Sequence, residues 1–156
     1  MAFRQNPVNE KTRNATTLIM SKKIILFVCV ENSNRSQMAE AFARMHGQDQ
    51  VDARSAGSRP SGRVNPKAIE AMKERGYDLC THSSKGLDEF NGQRIEVAVT
   101  MGCGDECPLV IAKQRLDWQI PDPRDMDPDQ FRDVRDLIES KVVTLIASLV
   151  CPKPDA

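Results

Sequence analysis

An apolar run, Ile24 to Val28, ends on Cys29, and five residues later come an arginine and a serine, in Cys29-Val30-Glu31-Asn32-Ser33-Asn34-Arg35-Ser36. A thiol at the end of a strand, followed by a loop that opens a helix, sits where backbone N–H groups can converge. The helix dipole adds positive potential at the same point. The backbone of Val30, Glu31, Asn32, Ser33, Asn34 and Arg35 would then form a cradle for an oxyanion. Arg35 adds a planar fork that grips two oxygens of a tetrahedral anion. The same field favours the thiolate, the nucleophilic form of cysteine, and Ser36 can donate a further hydrogen bond to the sulfur. The plainer alternative, a cysteine buried as a small apolar residue, leaves the arginine and the helix start unexplained.

Three further residues belong with this loop. In Trp118-Gln119-Ile120-Pro121-Asp122-Pro123 a carboxylate stands between two prolines, a stiff segment that holds it in one position. That suits a general acid; a turn aspartate is the alternative. Met101-Gly102-Cys103-Gly104-Asp105-Glu106-Cys107-Pro108 follows an apolar run whose carboxyl end belongs on the same sheet edge as Cys29. Two thiols there suggest redox chemistry. A metal site completed by His82 or Cys80, or two inert loop cysteines, are the competing readings. Cys80 itself reads as a spare thiol at another strand end or as a packed structural cysteine. Cys151 falls in a proline-rich tail, His46 near a helix end reads as a cap or surface residue, and neither histidine shows the partners of a catalytic base.

The elements that must position these groups alternate along the chain. Ile24 to Val28 and Ile95 to Thr100 are continuous apolar runs, as expected of strands buried on both faces. A shorter strand is expected at Val51 to Ser55. Met38, Phe42 and Met45 repeat at helical spacing, and Asn65-Pro66 opens a second helix that Gly76 ends. Phe131, Val134, Ile138, Val142, Leu145 and Leu149 mark a long final helix. The order β, α, β, α, β, α predicts an α/β fold: a parallel sheet with helices on both faces, binding its ligand outside the carboxyl ends of the strands.

At 156 residues a single domain over 21–150 is expected, with 1–20 as a polar leader and 151–156 as a tail. The 22 basic and 22 acidic residues cancel, which argues against a nucleic-acid binder and against a polybasic membrane anchor. No apolar stretch approaches the roughly 20 residues of a membrane span. Five cysteines, an odd number irregularly spaced, suit a reducing compartment and point to the cytoplasm.

Cysteine, five residues, arginine and serine is also the signature of low-molecular-weight tyrosine phosphatases and of the thioredoxin-coupled arsenate reductases that share their fold. The chain resembles the reductases more closely, through Asn32 to Glu40, Ser55-Ala56-Gly57, Val64 to Ile69, Val99-Thr100-Met101 and Cys107-Pro108. The resemblance implies a three-layer sandwich around a four-stranded parallel sheet, low-molecular-weight phosphatase-like, with no cofactor and no metal. It also implies a mechanism. Cys29 attacks arsenate, with Arg35 and Ser36 assisting and Asp122 protonating the departing oxygen. Cys103 then attacks Cys29 and releases arsenite, Cys107 resolves the pair as a Cys103–Cys107 disulfide, and thioredoxin reduces it, with phosphate and sulfate as substrate analogues. This chain departs from the pattern in three places: Asn34 stands where many reductases carry a cysteine, Lys85 replaces an aspartate that helps bind potassium, and only three residues separate Cys103 from Cys107. A low-molecular-weight tyrosine phosphatase is the second reading. Against it, Arg124-Asp125 follows Asp122-Pro123 where tyrosine phosphatases often have tyrosines. A third is an oxyanion-binding redox sensor that forms its disulfide without turnover.

Overall fold

The computed structural model of the chain describes residues 22–102 and 110–150. The expected leader, the tail with Cys151, and Cys103 and Cys107 lie outside the described residues. Four strands, β1 (Lys23–Cys29), β2 (Val51–Gly57), β3 (Ile95–Thr100) and β4 (Ala112–Asp117), form one sheet in the order β2-β1-β3-β4. All three pairings are parallel. The expected four-stranded parallel sheet is therefore present.

The side chains of β1 alternate between two cores, as the twofold period of a strand requires. Ile25, Phe27 and Cys29 face the larger one, where Met38 and Phe42 of α1 (Arg35–Gly47), Ala68 and Met72 of α2 (Pro66–Lys73), and Phe131, Ile138 and Val142 of α3 (Pro128–Val150) gather. Leu26 and Val28 face the smaller one, with Ala56, Ile95, Ala98, Val110 and Phe90. Phe90 ends a short 3-10 turn, Leu87–Phe90. The layer on that face is thin among the described residues.

From β1 the chain crosses to β2 on one side, and β3 then pairs on the other side of β1. The carboxyl end of β1 is thus the point where the strand order reverses, the place in an open α/β sheet where a crevice forms. Cys29 pairs there with Gly57, and Val28 with Thr100. β4 delivers its carboxyl end to the same edge, since Trp118 N–H donates to the Thr100 carbonyl at 2.8 Å.

Two boundaries differ from expectation, and one strand lies where no apolar run is seen. β2 runs on to Gly57 because its last residues, Ser55, Ala56 and Gly57, are buried. α2 ends at Lys73, and Gly76 lies in the turn beyond it at φ 80°. β4, Ala-Lys-Gln-Arg-Leu-Asp, has no fully buried position, so no apolar run announces it. No helix among the described residues is long and apolar enough to cross a membrane.

Candidate active site

The loop after β1 turns its carbonyls outward. The Cys29 carbonyl accepts from Ser58 N–H (3.2 Å), that of Val30 from Arg59 N–H (2.8 Å), that of Ser33 from Asn65 N–H (3.1 Å) and that of Asn34 from Met38 N–H (3.0 Å). The Glu31 carbonyl accepts from Ser61 N–H at 3.0 Å and Ser84 Oγ at 2.9 Å, and the Asn32 carbonyl from Gln37 Nε2 at 3.0 Å. In a planar trans peptide the carbonyl and the following N–H point opposite ways. With the carbonyls of residues 29–34 bound outside, the N–H groups of residues 30–35 are left to face the interior of the loop. Those are the residues expected to form the cradle. Asn32 makes the reversal at φ 51°, a left-handed conformation that asparagine tolerates better than most residues. Asn34, at the N-cap of α1, makes no side-chain capping bond, so the first N–H groups of the helix stay available to an anion. A small cavity results, lined by Cys29, Val30, Glu31, Ser33, Asn34, Arg35 and Asp122.

Cys29 is buried, and its Sγ lies 2.8 Å from Ser36 Oγ. Which of the two donates is decided by a chain of fixed polarity. Asn32 Oδ1 accepts from Lys85 N–H (3.0 Å) and from Gln37 Nε2 (2.9 Å), so its Nδ2 faces Ser36 and donates to Oγ at 2.7 Å. The serine oxygen is thereby an acceptor, and its hydrogen is free to point at the sulfur. Gln37 is oriented in turn: its Nε2 also donates to the Ser83 carbonyl (2.9 Å), and its Oε1 lies 2.9 Å from His82 Nδ1. Glu40 Oε2 is 2.7 Å from the same Nδ1. Two acceptors on one nitrogen require that Nδ1 carry the proton.

Arg35 is held from the other side. Its Nη1 donates to the Ile120 carbonyl at 3.0 Å, and its Nη2 lies 3.9 Å from Asp122 Oδ2. Ile120 is buried, so this anchor is part of the core. Asp122 itself is half exposed, and its Oδ1 accepts from Arg124 N–H at 3.1 Å. Two glycines fit closely against the loop. A Cβ on Gly102, at φ 80°, would come within 2.6 Å of Arg35 Nη1; one on Gly57 would stand 2.6 Å from the Val30 carbonyl oxygen and 2.9 Å from Asn32 N. A Gly57→Ala substitution therefore meets backbone on both counts. It is expected to lower stability by about 1–3 kcal/mol and to weaken phosphate binding, measured by denaturant titration and calorimetry. Unchanged binding would show that the loop yields without losing its shape.

The structure thus brings together Cys29, Ser36, Arg35, the backbone of residues 30–35 and Asp122. Cys80 lies in the 3-10 turn Leu79–Thr81 and not at a strand end, and it is free and exposed, which overturns the packed structural reading and leaves that of a spare thiol. A hydrogen bond with Asp78 and the charge of that carboxylate push its thiol pKa up, which disfavours the reactive thiolate. His46 is a surface residue, as expected, paired with Glu139 of α3 at 2.9 Å. Lys85 Nζ lies 3.9 Å from Glu40 Oε1 and donates to the Ser83 carbonyl at 3.2 Å.

No role is expected of Gln37 and Glu40 from the sequence, and His82 is expected only as a metal-site candidate without other partners; the structure gives it Gln37, Glu40 and Tyr77. Their signal was there: Gln37 and Glu40 are polar residues three apart in a helix whose first nine residues are all buried. Burial alone would raise the Glu40 carboxyl, but the His82 hydrogen bond and the charges of His82, Lys85 and Arg44 outweigh it and hold the pKa below the ordinary 4.5. A depressed carboxylate contributes stability in full above its unfolded value, and that contribution is lost as pH falls through the lower folded value. Glu40→Gln is expected to lower stability at neutral pH and to flatten the acid side of the stability–pH curve, read by thermal unfolding across pH. A parallel downward shift at all pH values would contradict it.

The chain is similar to known proteins in sequence and in fold. The glutaredoxin arsenate reductase of Synechocystis sp. is 38% identical over 130 residues, covering 81% of this chain and 98% of that protein. A solved arsenate reductase in the phosphate-binding state superposes with a TM-score of 0.75 at 37% identity, over 81% of this chain and 98% of the other. The thioredoxin-dependent arsenate reductase of Corynebacterium glutamicum gives a TM-score of 0.70 at 28% identity, over 90% of this chain and 71% of its own. The family model described as low molecular weight phosphotyrosine protein phosphatase matches residues 24–153. Over residues 24–153, then, the chain belongs to the low molecular weight phosphotyrosine protein phosphatase family, and the relatives named above are arsenate reductases.

Proposed function

We propose that the protein is an arsenate reductase that uses three cysteines and draws its electrons from thioredoxin. Arsenate binds in the loop with its oxygens on the N–H groups of residues 30–35 and on the Arg35 fork; phosphate and sulfate, of the same shape and charge, bind there as analogues. The Cys29 thiolate, receiving the Ser36 hydroxyl hydrogen, forms a sulfur–arsenic bond while one arsenic–oxygen bond breaks. Asp122 gives its proton to the departing oxygen, which leaves as water. Cys103 then attacks the Cys29 sulfur. The sulfur–arsenic electron pair passes to arsenic, which leaves as arsenite, and Cys107 converts the Cys29–Cys103 bond into a Cys103–Cys107 disulfide. Thioredoxin reduces that bond by thiol exchange.

The observation that carries this reading is the contact at the end of β3. Gly102, the residue before Cys103 in the sequence, lies against the guanidinium of Arg35, which supports a role for that thiol at the anion site. The residues 21–150 would act as one catalytic unit, in the cytoplasm, where thiols stay reduced. The test is NADPH oxidation dependent on arsenate, coupled through thioredoxin reductase and thioredoxin, with glutathione and glutaredoxin run in parallel. Steady turnover with thioredoxin is expected. Turnover with glutaredoxin alone would overturn the choice of reductant, and none with either would overturn the reductase reading.

A further inference from the structure

The thiol loop and the acid loop are joined at the surface by an ion pair. Arg124 Nη1 donates to Glu31 Oε1 at 3.1 Å, with the two side chains 55% and 41% exposed. Its position bears on what can leave the site. When a thiolate displaces an oxygen from a tetrahedral centre, the departing oxygen lies in line with the incoming sulfur. With Asp122 as the acid, that oxygen faces Asp122. Glu31 lines the same cavity, and Arg124 caps the Asp122 carboxylate with its N–H. A group attached to the departing oxygen would then leave on the side of the cavity where the Glu31–Arg124 pair stands. From arsenate the departing group is water, which needs no passage. From a phosphate monoester it is a whole alcohol.

Both partners are held from behind. The Glu31 carbonyl accepts from Ser61 N–H and Ser84 Oγ, and the Arg124 carbonyl accepts from Lys67 Nζ at 3.0 Å. Anchored backbones reduce the ordering cost that usually cancels a surface ion pair. Among the described residues, no aromatic side chain lines the cavity, so none of them offers an aryl group a stacking surface in exchange.

We propose that the Glu31–Arg124 ion pair is a specificity device: it closes the leaving-group exit of the thiol site and so favours an inorganic oxyanion over a phosphate monoester. The inference rests on the roles given above to Cys29 and Asp122. An ester that does enter reacts without electron exchange. The Cys29 sulfur bonds to phosphorus, the ester oxygen–phosphorus bond breaks, and the alkoxide takes the Asp122 proton. Water then cleaves the sulfur–phosphorus bond, giving its proton to Asp122 and releasing inorganic phosphate.

The experiment measures kcat/KM for p-nitrophenyl phosphate in the wild type, in Arg124→Ala, in Glu31→Gln and in the charge swap Glu31→Arg with Arg124→Glu. Inorganic phosphate is titrated as a competitive inhibitor of the wild type and of Arg124→Ala. Both single variants are expected to raise ester kcat/KM about two- to fivefold, the span of a half-exposed ion pair, and the swap to bring it back toward wild type. Added salt is expected to raise it in the wild type but not in Arg124→Ala, because salt screens the pair. Single variants that leave ester kcat/KM unchanged or lower it, or an Arg124→Ala that strengthens phosphate inhibition by the same factor, would overturn the device and leave the thiol chemistry standing. A wild type that is not inhibited by phosphate and hydrolyses no ester would overturn the roles of Cys29 and Asp122, and the device with them.

Discussion

Cys103→Ser is expected to abolish arsenate reduction while sparing the hydrolysis of an aryl phosphate. The reason lies in the electrons. Reducing arsenic from its pentavalent to its trivalent state takes two electrons, and the only pair available in the adduct is that of the sulfur–arsenic bond. It passes to arsenic when a second sulfur takes the Cys29 sulfur. A serine hydroxyl cannot do this, and hydrolysis of the adduct only returns arsenate. An ester needs no second thiol, because water completes its turnover. Thioredoxin-coupled reduction should therefore fall by at least about 10³-fold, with ester hydrolysis within about twofold of wild type. Cys29→Ser should lose both activities. If Cys103→Ser still reduced arsenate at a steady rate, the relay would be wrong; if it lost both activities, Cys103 would be supporting the fold of the site instead of its redox chemistry.

The second large effect concerns the acid. Asp122→Asn keeps an oxygen for the Arg124 N–H, which now bonds Oδ1 at 3.1 Å, but has no proton to give. A general acid contributes typically ~10² to 10⁴ in rate, and kcat for arsenate reduction is expected to fall within that range. Ester hydrolysis separates the chemistry from packing. A leaving group as weakly basic as p-nitrophenolate needs little protonation, whereas phenolate needs more, so the variant should lose more on phenyl phosphate than on p-nitrophenyl phosphate. Equal losses on the two esters would show that Asp122 acts through the position of Arg35, 3.9 Å away, and not as a proton donor.

The parts of the fold visible in the sequence were those with a dense local signal. β1 and β3 are buried on both faces and read as unbroken apolar runs. α3 shows its apolar stripe from Phe131 to Leu149, and Asn65-Pro66 marks the start of α2, where Asn65 Oδ1 accepts from Lys67 N–H at 3.0 Å. β4 had no such signal. It is an edge strand whose charged and amide side chains face outward, and its membership of the sheet rests on backbone pairing with β3, which no side-chain pattern records. The four-stranded sheet was accordingly expected from the family resemblance and not from periodicity.

For the site, the sequence by itself determined that Cys29, Arg35, Ser36 and the loop between them come together, because all lie within eight consecutive residues and a strand–loop–helix unit places them whatever the rest of the chain does. It also singled out Asp122, through the stiffness that two prolines impose. What required the tertiary structure was everything that orients these groups. The crossover between β2 and β3 holds most of the loop carbonyls outward, Gly57 and Gly102 leave room that only packing defines, and Gln37 and His82 set the polarity of a chain of hydrogen bonds that ends at the Cys29 sulfur. Those relations join residues far apart in the sequence, as Arg35 and Ile120, 85 positions apart, are joined. The thiol loop could be read locally because its chemistry is local. Its direction could not, because a donor is oriented by what lies behind it, and here that is another part of the chain.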